Sequence, residues 1–286
     1  MKRFMVVSNF GKANALACTK EVCRYLTELG AAVMMSEEAK KSCDCDYVEY
    51  GEFYSLMEEA EAVIAVGGDG TILHAAKHAV AYDRPVFGIN AGRLGFLAGL
   101  EPDELNSLQR LVQGDYRTKT RMMLEVVHQR GAECSSYLAL NDVVLSKGAI
   151  SRMVDLDIFC MDRFVSSYRA DGVILSTPTG STAYSLSAGG PIIDPDMNCI
   201  TLTPISPHSL FDRTIVFSEH NRLTICPGHE SETEIYLTVD GEQAVRVRQG
   251  DRVIVKKSQT TARLIDLTDK PFYEVLQDKF LTRAKS

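Results

Sequence analysis

The hydrophobic rhythm of this chain changes near residue 118, and that change constrains the fold more than any other feature of the sequence. Before residue 118, short apolar runs alternate with stretches of helical periodicity. This alternation indicates a parallel sheet that is covered by helices. In chain order, the sequence predicts a strand at 4–7, a helix at 13–29, a strand at 31–35, a helix at 53–59, a strand at 62–66, a helix at 72–80, a strand at 85–89 and a helix near 101–112.

From about residue 118 to residue 266 the helical periodicity largely disappears, and apolar and polar residues alternate instead. Such alternation is typical of antiparallel strands with one buried face. Residues 272–281 return to helical character, and we expect this helix to pack on the first domain. We therefore predict an α/β domain with a parallel sheet over residues 1–117, completed by about 270–286, and a mainly antiparallel β domain over 118–269.

The composition and net charge of the chain disfavour nucleic acid and membranes as binding partners. The chain of 286 residues is 45% hydrophobic and carries a formal net charge of -7. An acidic chain is a poor general binder of nucleic acid or of anionic membranes, since both partners require a basic face. No apolar run approaches the roughly 18 residues of a membrane span, and the first residues do not resemble a signal peptide. We therefore expect a cytoplasmic globular protein with neither nucleic acid nor membrane as partner.

The eight cysteines lack the paired C-x-x-C spacing or the Cys/His pattern of a zinc site. Cys43 and Cys45 offer half of a soft-metal site, but the sequence shows no second half. We interpret the cysteines as reduced thiols and expect no protein-bound metal site.

The segment Gly67-Gly68-Asp69-Gly70-Thr71 joins an apolar strand-like run to a helix-like run. Its glycines permit a sharp turn and a close approach of phosphate, and the amides of the following helix favour negative charge. A carboxylate at this place would repel phosphate unless a metal ion or a proton transfer required it. The segment therefore predicts a base beside a polyphosphate. The alternative is that Asp69 caps the following helix.

The spacing of these glycines excludes two better-known phosphate loops. No Gly-x-x-x-x-Gly-Lys-Ser/Thr string follows the strand, and Gly67 and Gly68 are adjacent, which does not match Gly-x-Gly-x-x-Gly. A P-loop kinase and a standard dehydrogenase are therefore not expected.

A second segment, residues 169–191, is crowded with small residues and hydroxyl groups. Thr177, Thr179, Ser181 and Thr182 offer hydrogen-bond donors and acceptors on a turn that contains proline and glycine. Tyr184 offers a ring face to a base or a nicotinamide. The segment predicts a ligand site, and the alternative is a decorated β-turn that leads into a short helix.

Together these segments resemble the NAD kinase family, and the resemblance runs through most of the chain in the family's order. The first string alone is weak evidence, since diacylglycerol kinases, sphingosine kinases and phosphofructokinases carry a similar one. The hydroxyl-rich block is more specific. The matching blocks are Gly67 to Thr71, Asn90-Ala91-Gly92-Arg93-Leu94-Gly95-Phe96-Leu97, Asn141-Asp142, Asp171-Gly172, Ser176 to Tyr184 and Ser187 to Pro191.

The resemblance implies transfer of the terminal phosphoryl group of ATP, or of another donor such as polyphosphate, to the 2'-hydroxyl of the adenosine ribose of NAD, which gives NADP. It implies Mg²⁺ or another divalent cation with ATP, an α/β domain and a β domain with the site between them, and a homodimer or homotetramer. Asp69 matches the proposed proton acceptor for that hydroxyl.

The resemblance also implies contacts to NAD and ATP from both predicted domains. Asp142 is one methylene shorter than the family's commoner Glu, and Glu242-Gln243 stands where the family often has Gln two residues after the Asp that matches Asp240. Arg169 supplies a cation for the pyrophosphate. The implied binding residues are Gly67, Gly68, Gly70, Thr71, His74, Asn141, Asp142, Arg152, Arg169, Asp171, Thr179, Thr182, Ala183, Tyr184, Ser185, Leu186, Ser187 and Asp240.

Two other functions share some of these features. A lipid kinase of the diacylglycerol type would carry the glycine-aspartate loop but also an apolar acyl-chain tunnel. A non-catalytic NAD(P)(H) sensor would bind the dinucleotide without phosphorylating it. The residues do not determine the donor, the choice between NAD and NADH, the oligomeric state or feedback by NADP(H).

Overall fold

The structure is a computed structural model, and its chain divides into two compact units. The first unit comprises Met1–Thr120 and Ala262–Ser286, and the second comprises Arg121–Thr261. The first unit resumes at Ala262, earlier than the predicted residue 270. The reason is that one long strand, Arg252–Asp266, begins in the second unit and ends in the first. The residues that the structure describes are 1–11, 14–91, 95–148, 152–208, 213–228, 234–268 and 270–284.

The described strands account for both sheet types that the sequence predicts. In chain order they are β1 (Arg3–Ser8), β2 (Ala32–Ser36), β3 (Val48–Gly51), β4 (Ala62–Gly67), β5 (Val86–Asn90), β6 (Arg117–Arg130), β7 (Glu133–Ala139), β8 (Asp142–Lys147), β9 (Val154–Cys160), β10 (Arg163–Ala170), β11 (Gly172–Ser176), β12 (Cys199–Ile205), β13 (Ile215–Ser218), β14 (Leu223–Pro227), β15 (Ile235–Val239), β16 (Glu242–Val247) and β17 (Arg252–Asp266).

The described helices lie mainly in the first unit. Among them, none has both the length and the hydropathy that crossing a bilayer requires. Short 3₁₀ helices cover Val80–Tyr82, Pro102–Ser107 and Thr179–Thr182. In chain order the α-helices are α1 (Ala15–Glu28), α2 (Glu37–Lys40), α3 (Phe53–Glu59), α4 (Asp69–Ala79), α5 (Leu108–Gln113), α6 (Tyr184–Ser187) and α7 (Phe272–Ala284).

The first unit contains a parallel sheet in the order β5-β4-β1-β2-β3. Every residue of β4 and β5 is buried, as expected for central strands that helices cover on both faces. The register pairs Ser8 with Val66 and Gly67 with Asn90, so β1, β4 and β5 end at one edge of the sheet. Ligands of such sheets bind at the carboxyl ends of the strands.

Two elements of the first unit were not predicted, and one predicted helix is divided. β3 has four residues and α2 is a single polar turn, so neither carries a readable periodicity. The predicted helix near 101–112 is a 3₁₀ helix over Pro102–Ser107 followed by α5. The other predicted elements lie within a few residues of their observed bounds.

The second unit contains antiparallel strands in two sheets. One has the order β13-β12-β11-β8-β15-β16, and the other contains β10-β9-β14-β17 with β6 and β7. Side chains from both sheets, including Leu145, Val173, Leu156 and Val255, form one buried cluster. The predicted fold class, an α/β domain followed by a mainly antiparallel β domain and a terminal helix, is confirmed.

Candidate active site

The loop at the end of β4 passes directly into α4. Gly68 is the N-cap residue of α4, and the helix begins at Asp69, earlier than the predicted residue 72. The Thr71 amide donates to the Gly68 carbonyl at 2.9 Å. The alternative that Asp69 caps this helix is wrong, because Asp69 is its first helical residue and its carboxylate binds a different segment.

The Asp69 carboxylate is held by the segment that follows β5. Oδ2 accepts the Phe96 amide at 2.9 Å, and Oδ1 accepts the Leu97 amide at 3.1 Å. The Nζ of Lys279, on α7, lies 3.7 Å from Oδ2. These contacts match the negative charge of the carboxylate and fix its orientation. About a third of the Asp69 side chain remains exposed, at 32%, so a substrate can reach it.

Two glycines of the predicted blocks lie against side chains of the first turn of α4. A β carbon on residue 95 would lie 2.1 Å from Asp69 Oδ1, and one on residue 67 would lie 2.3 Å from Thr71 Oγ1. The Thr71 hydroxyl is buried, and within the described chain it has no hydrogen-bond partner. A buried hydroxyl without a partner is a candidate donor to a ligand oxygen.

A cavity of about 920 Å³ opens beside this loop, entirely within the first unit. The ends of β1, β2 and β3, the turn α2, the start of α3 and one side of α4 line it. Gly70, Thr71 and His74 contribute to its wall, together with the aromatic rings of Tyr54 and His78. His74 is exposed, and its ring lies 4.6 Å from that of His78. Three of the predicted binding residues therefore share one cavity.

In the second unit, Asn141 and Asp142 stand at the start of β8 and are buried. The Asp240 carboxylate accepts the amides of Leu140, Asn141 and Asp142 at 2.8 to 3.0 Å. Asp240 has φ 50°, in the left-handed region, where Asp is tolerated better than most residues. Oδ1 of Asn141 is buried and lacks a partner among the described residues. This amide oxygen and the Asp142 carboxyl are candidate ligand contacts.

The pKa of Asp142 is raised from its ordinary value of 3.8 to about 7. Burial is the main cause, because it disfavours the charged form, and the nearby Asp240 carboxylate adds repulsion. Carboxyl groups with strongly perturbed pKa values cluster at functional sites.

Residues of the hydroxyl-rich block, 169–191, pack against the Asn141 turn and hydrogen-bond its backbone. Thr177 Oγ1 donates to the Leu140 carbonyl at 2.6 Å and accepts the Gly180 amide at 3.0 Å. A β carbon on Gly180 would lie 2.1 Å from the Asn141 carbonyl oxygen. Ser181 Oγ accepts the Ile193 amide at 3.1 Å and donates to the Pro178 carbonyl at 2.7 Å. The alternative of a decorated turn before a short helix therefore explains Thr177 and Ser181.

The other predicted residues of this block differ in exposure. Ser185 is buried and hydrogen-bonds Thr203 at 3.0 Å, and Thr179 is also buried. Tyr184 and Ser187 are exposed. Thr182, Ala183 and Leu186 are half-buried. The last five residues are the ones whose side chains a ligand can reach from solvent.

Three further residues that were predicted to bind the ligand make no hydrogen bond to the Asn141 turn that the structure records. Asp171 is half-buried and forms an ion pair of 2.7 Å with Lys147. Arg169 is exposed on β10, and Arg152 is exposed before β9. Gly92, Arg93 and Leu94 of the second matching block lie outside the described residues, as does the side chain of Gln243.

Lys279 is a candidate functional residue that the sequence did not reveal. A lysine in a terminal helix carries no signal of its own, since most such lysines are solvated. Its contact with Asp69 depends on the packing of α7 within the first unit. No group of three or more His, Cys, Asp or Glu residues able to hold a metal ion occurs in the described residues.

Family models match both units of the chain. The ATP-NAD kinase N-terminal domain matches residues 4–116, and the ATP-NAD kinase C-terminal domain matches residues 140–267. A protein of Moorella thermoacetica named NAD kinase is 40% identical over 280 residues, which cover 98% of this chain and 89% of the relative. One of Geotalea daltonii, also named NAD kinase, is 36% identical and covers 98% of both chains.

Two solved structures with the same fold are complexes, one with NADH and one with ATP. Yeast NADH kinase complexed with NADH gives a TM-score of 0.87 at 24% identity and covers 97% of this chain and 86% of that one, which shows the fold. An NAD kinase from Archaeoglobus fulgidus in complex with ATP gives a TM-score of 0.71 at 25% identity, with coverage of 97% and 98%. A lipid kinase is therefore not supported. With the glycine-aspartate loop and the Asn141 turn in the matched regions, the chain belongs to the NAD kinase family.

Proposed function

We propose that this chain transfers the terminal phosphoryl group of ATP to the 2'-hydroxyl of the adenosine ribose of NAD, forming NADP, with Asp69 as the proton acceptor. The observation that carries the proposal is the oriented, partly exposed Asp69 carboxylate at the first turn of α4. Two proteins with this fold have been solved in complex with NADH and with ATP, respectively, which supports both substrates.

The reaction needs a base because a ribose hydroxyl is a weak nucleophile at neutral pH. The 2'-oxygen forms a bond to the γ-phosphorus while the bond from that phosphorus to the β-γ bridging oxygen breaks, and ADP leaves. The hydroxyl proton passes to the Asp69 carboxylate. A positioned base contributes on the order of 10² to 10⁴ in rate, and alignment of the reactants supplies much of the rest.

The first unit supplies the donor contacts. The Thr71 hydroxyl and the amides at the start of α4 are the donors for phosphate oxygens. Glu37 and Glu38 also line the cavity, and their carboxylates would repel phosphate. We therefore assign the Gly70–Thr71 end of the cavity to the phosphates and the rest to the nucleoside, whose ribose hydroxyls suit carboxylate acceptors.

A divalent cation such as Mg²⁺ fits this chain as part of the donor. The described residues contain no ready-made cluster of three or more ligands, and Mg²⁺ in kinases is held largely by substrate phosphates with one or two carboxylates. The Thr71 hydroxyl is the oxygen of this loop that would hold it beside the donor phosphates, since the Asp69 carboxylate accepts the proton. When bound, the cation neutralises charge on the triphosphate.

The second unit supplies the dinucleotide contacts. Asn141 Oδ1 and the Asp142 carboxyl accept or share hydrogen bonds from ribose hydroxyls, and Asp240 holds the turn that presents them. The solvent-reachable part of the 182–187 segment, with the Tyr184 ring, contacts a base or the nicotinamide. Arg169 is exposed and serves as a cation for the pyrophosphate.

A coupled assay tests this proposal. Purified chain is given NAD, ATP and Mg²⁺, and NADP is measured with an NADP-specific dehydrogenase. Asp69→Asn keeps the shape of the side chain, and we expect turnover to fall about 100-fold or more while NAD binding is retained. The matched control is Asp103→Asn, an exposed carboxylate of the same unit, which leaves turnover unchanged. Full turnover in Asp69→Asn would remove Asp69 from the mechanism, and NAD binding without turnover by any donor would favour a sensor.

We also propose a cytoplasmic location and a homo-oligomeric state for the protein. All eight cysteines are free thiols, which suits a reducing cytoplasm. A homodimer or homotetramer is inferred from the family resemblance alone. Light scattering after size exclusion measures it directly, and a mass of 31.6 kDa at all concentrations would contradict an oligomer.

A further inference from the structure

Lys279, in the last helix of the chain, reaches the candidate base. Its Nζ lies 3.7 Å from Asp69 Oδ2 and 3.5 Å from the centre of the Phe96 ring. Its side chain is only 13% exposed. The same Phe96 donates its backbone amide to Asp69, so the ring and the amide of one residue hold the lysine and the aspartate together.

Burial of the Lys279 ammonium costs free energy unless nearby groups or a bound anion interact with its charge. Lysine is among the residues least often buried, because an ammonium loses strong hydration. The aromatic face and the carboxylate offset part of that loss. The Nζ to Oδ2 distance exceeds the 2.7–2.9 Å that is usual for charge-assisted hydrogen bonds, so the contact with Asp69 is an ion pair and not a direct hydrogen bond. A flexible lysine stem can re-aim such a group over a short distance.

The charge balance of the site calls for a cation at this place. The chain has a net charge of -7, and Asp69 must work beside a triphosphate. A cation beside the proton acceptor relieves the repulsion between the two anions. Preorganised cations that act on developing charge are among the largest contributions to phosphoryl transfer.

We propose that Lys279 is the cation of the transfer step: it pairs with Asp69 in the free chain and donates to the oxygens of the transferred phosphoryl group when the donor is bound. The inference rests on the proposed function and deepens it. The proton of the ribose hydroxyl still passes to Asp69, and Lys279 stays protonated throughout. The C-terminal helix thereby contributes a reacting-site residue, which the glycine-aspartate loop alone does not predict.

The groups that face the Asp69 carboxylate define what the loss of Lys279 changes. They are the Lys279 ammonium from α7, the Phe96 and Leu97 amides from the loop after β5, and the amino-terminal end of α4 itself. Removal of the lysine takes away the side-chain charge and leaves the backbone groups. The Phe96 and Leu97 amides still orient Asp69 in that variant, so the loss falls on the charge that faces the donor phosphates.

The test compares Lys279→Met, Lys279→Arg and Lys270→Met in the full chain. Lys270 forms an exposed ion pair with Asp278 near the start of the same helix, so it is the matched control. We expect Lys279→Met to lower kcat about 100-fold with little change in the KM for NAD, as for loss of one transition-state donor. Lys279→Arg keeps the charge and recovers part of kcat, and Lys270→Met resembles the wild type.

Two results would overturn the inference. One is a kcat for Lys279→Met within about threefold of Lys270→Met. The other is a loss of kcat that tracks a fall in melting temperature and that Lys279→Arg does not relieve, since that is the pattern of a packing residue. If Lys279→Met does not fold, Lys279→Gln and Lys279→Arg are compared in the same two measurements.

A binding measurement separates this inference from the proposed function. Calorimetry with Mg²⁺ and the imido analogue of ATP reads the phosphate contact without turnover. We expect Lys279→Met to bind the analogue about tenfold more weakly than Lys270→Met. A wild type that forms no NADP would refute the proposed function, and equal affinities of the two variants would refute the role of Lys279 whatever the turnover.

Discussion

Gly95 lies against Asp69 so closely that a β carbon on residue 95 would stand 2.1 Å from Oδ1 of the carboxylate. The same oxygen accepts the Leu97 amide, so the loop cannot retreat without loss of that hydrogen bond. We predict that Gly95→Ala lowers kcat at least about tenfold, because a shift of the base by an ångström or less costs this much. The coupled assay measures kcat, and calorimetry measures NAD affinity.

A second glycine provides the control for Gly95→Ala. Gly131 has φ 59°, and a β carbon there would meet nothing within 4 Å. Gly131→Ala is expected to reduce stability by about 1 kcal/mol through backbone strain and to leave kcat unchanged. If both variants lose stability alike and neither loses kcat, Gly95 does not position the base.

The raised pKa of Asp142 predicts a stability that depends on pH. Burial first, and then the charge of Asp240, raise the pKa of Asp142 in the folded chain to about 7. The folded chain therefore holds this proton at pH values where the unfolded chain has released it. The cost of ionising Asp142 is absent below about pH 4, grows between pH 4 and pH 7 and is complete above pH 7.

The variant Asp142→Asn isolates this effect. Relative to the wild type, we expect it to gain about 2 to 4 kcal/mol in free energy of unfolding between pH 4.5 and pH 8, because one pKa unit corresponds to about 1.4 kcal/mol. Urea unfolding at both values measures it, with the exposed Asp46→Asn as the control. If the difference in free energy of unfolding between Asp142→Asn and the wild type were the same at both pH values, the pKa of Asp142 would not be raised.

Some features of the fold could be predicted because they depend only on residues that are close together in the sequence. The alternation of apolar runs and helical periodicity predicts β1, β2, β4 and β5 and the helices α1, α3 and α4, since a buried parallel strand must be apolar throughout. Turn chemistry predicted the Gly67–Thr71 loop, because three glycines between an apolar run and a helical run indicate a sharp turn.

Other features depend on partners that are distant in sequence. Whether the Thr177 hydroxyl faces a ligand or the protein is decided by the Leu140 carbonyl, which no local pattern places beside it. The Asp142 pKa depends on Asp240, and the environment of Asp69 depends on Lys279. Sequence identified the chemical groups of the site, but their protonation and pairing required the tertiary structure.

A buried charge cluster in the second unit predicts a large loss of stability on mutation. Asp251 is 3% exposed and accepts His128 Nε2 at 2.8 Å, Arg130 Nη2 at 2.9 Å and the Arg248 amide at 2.9 Å. Burial alone would raise the pKa of Asp251, but Arg130, the Arg248 amide and His128 together hold it below its usual range. Asp251→Asn is expected to cost about 2 to 4 kcal/mol at pH 7 in urea unfolding.

The sign of this effect with pH is opposite to that of Asp142. A lowered folded pKa gives stability that is present above the ordinary Asp pKa of 3.8 and lost as pH falls through the folded value. The difference between the wild type and Asp251→Asn should therefore shrink as the pH falls below about 4. Asp162→Asn, which breaks exposed pairs with Arg222 and Arg252, is the matched control and should cost less than about 1 kcal/mol. Equal costs for the two variants would contradict the prediction.

The assignment of the first-unit cavity to the donor nucleoside predicts a change in donor recognition. Tyr54 and His78 line the cavity, with ring centres 5.7 Å apart, and both offer faces on which a base can stack. We expect His78→Ala and Tyr54→Ala to raise the KM for ATP about fivefold or more, because base–aromatic stacking contributes about 1–3 kcal/mol. Inhibition by tripolyphosphate, which has no nucleoside, should not change in either variant.

The comparison with tripolyphosphate decides between two uses of the cavity. If the rings contact the base, only ligands with a base respond to the substitutions. If His78 contacts phosphate, both ATP and tripolyphosphate bind less tightly in His78→Ala, and the nucleoside assignment is wrong. Tyr47→Ala removes another exposed tyrosine of the same unit that does not line the cavity, and it should alter neither value. The ratio of the two affinities therefore reports which end of the donor these rings contact.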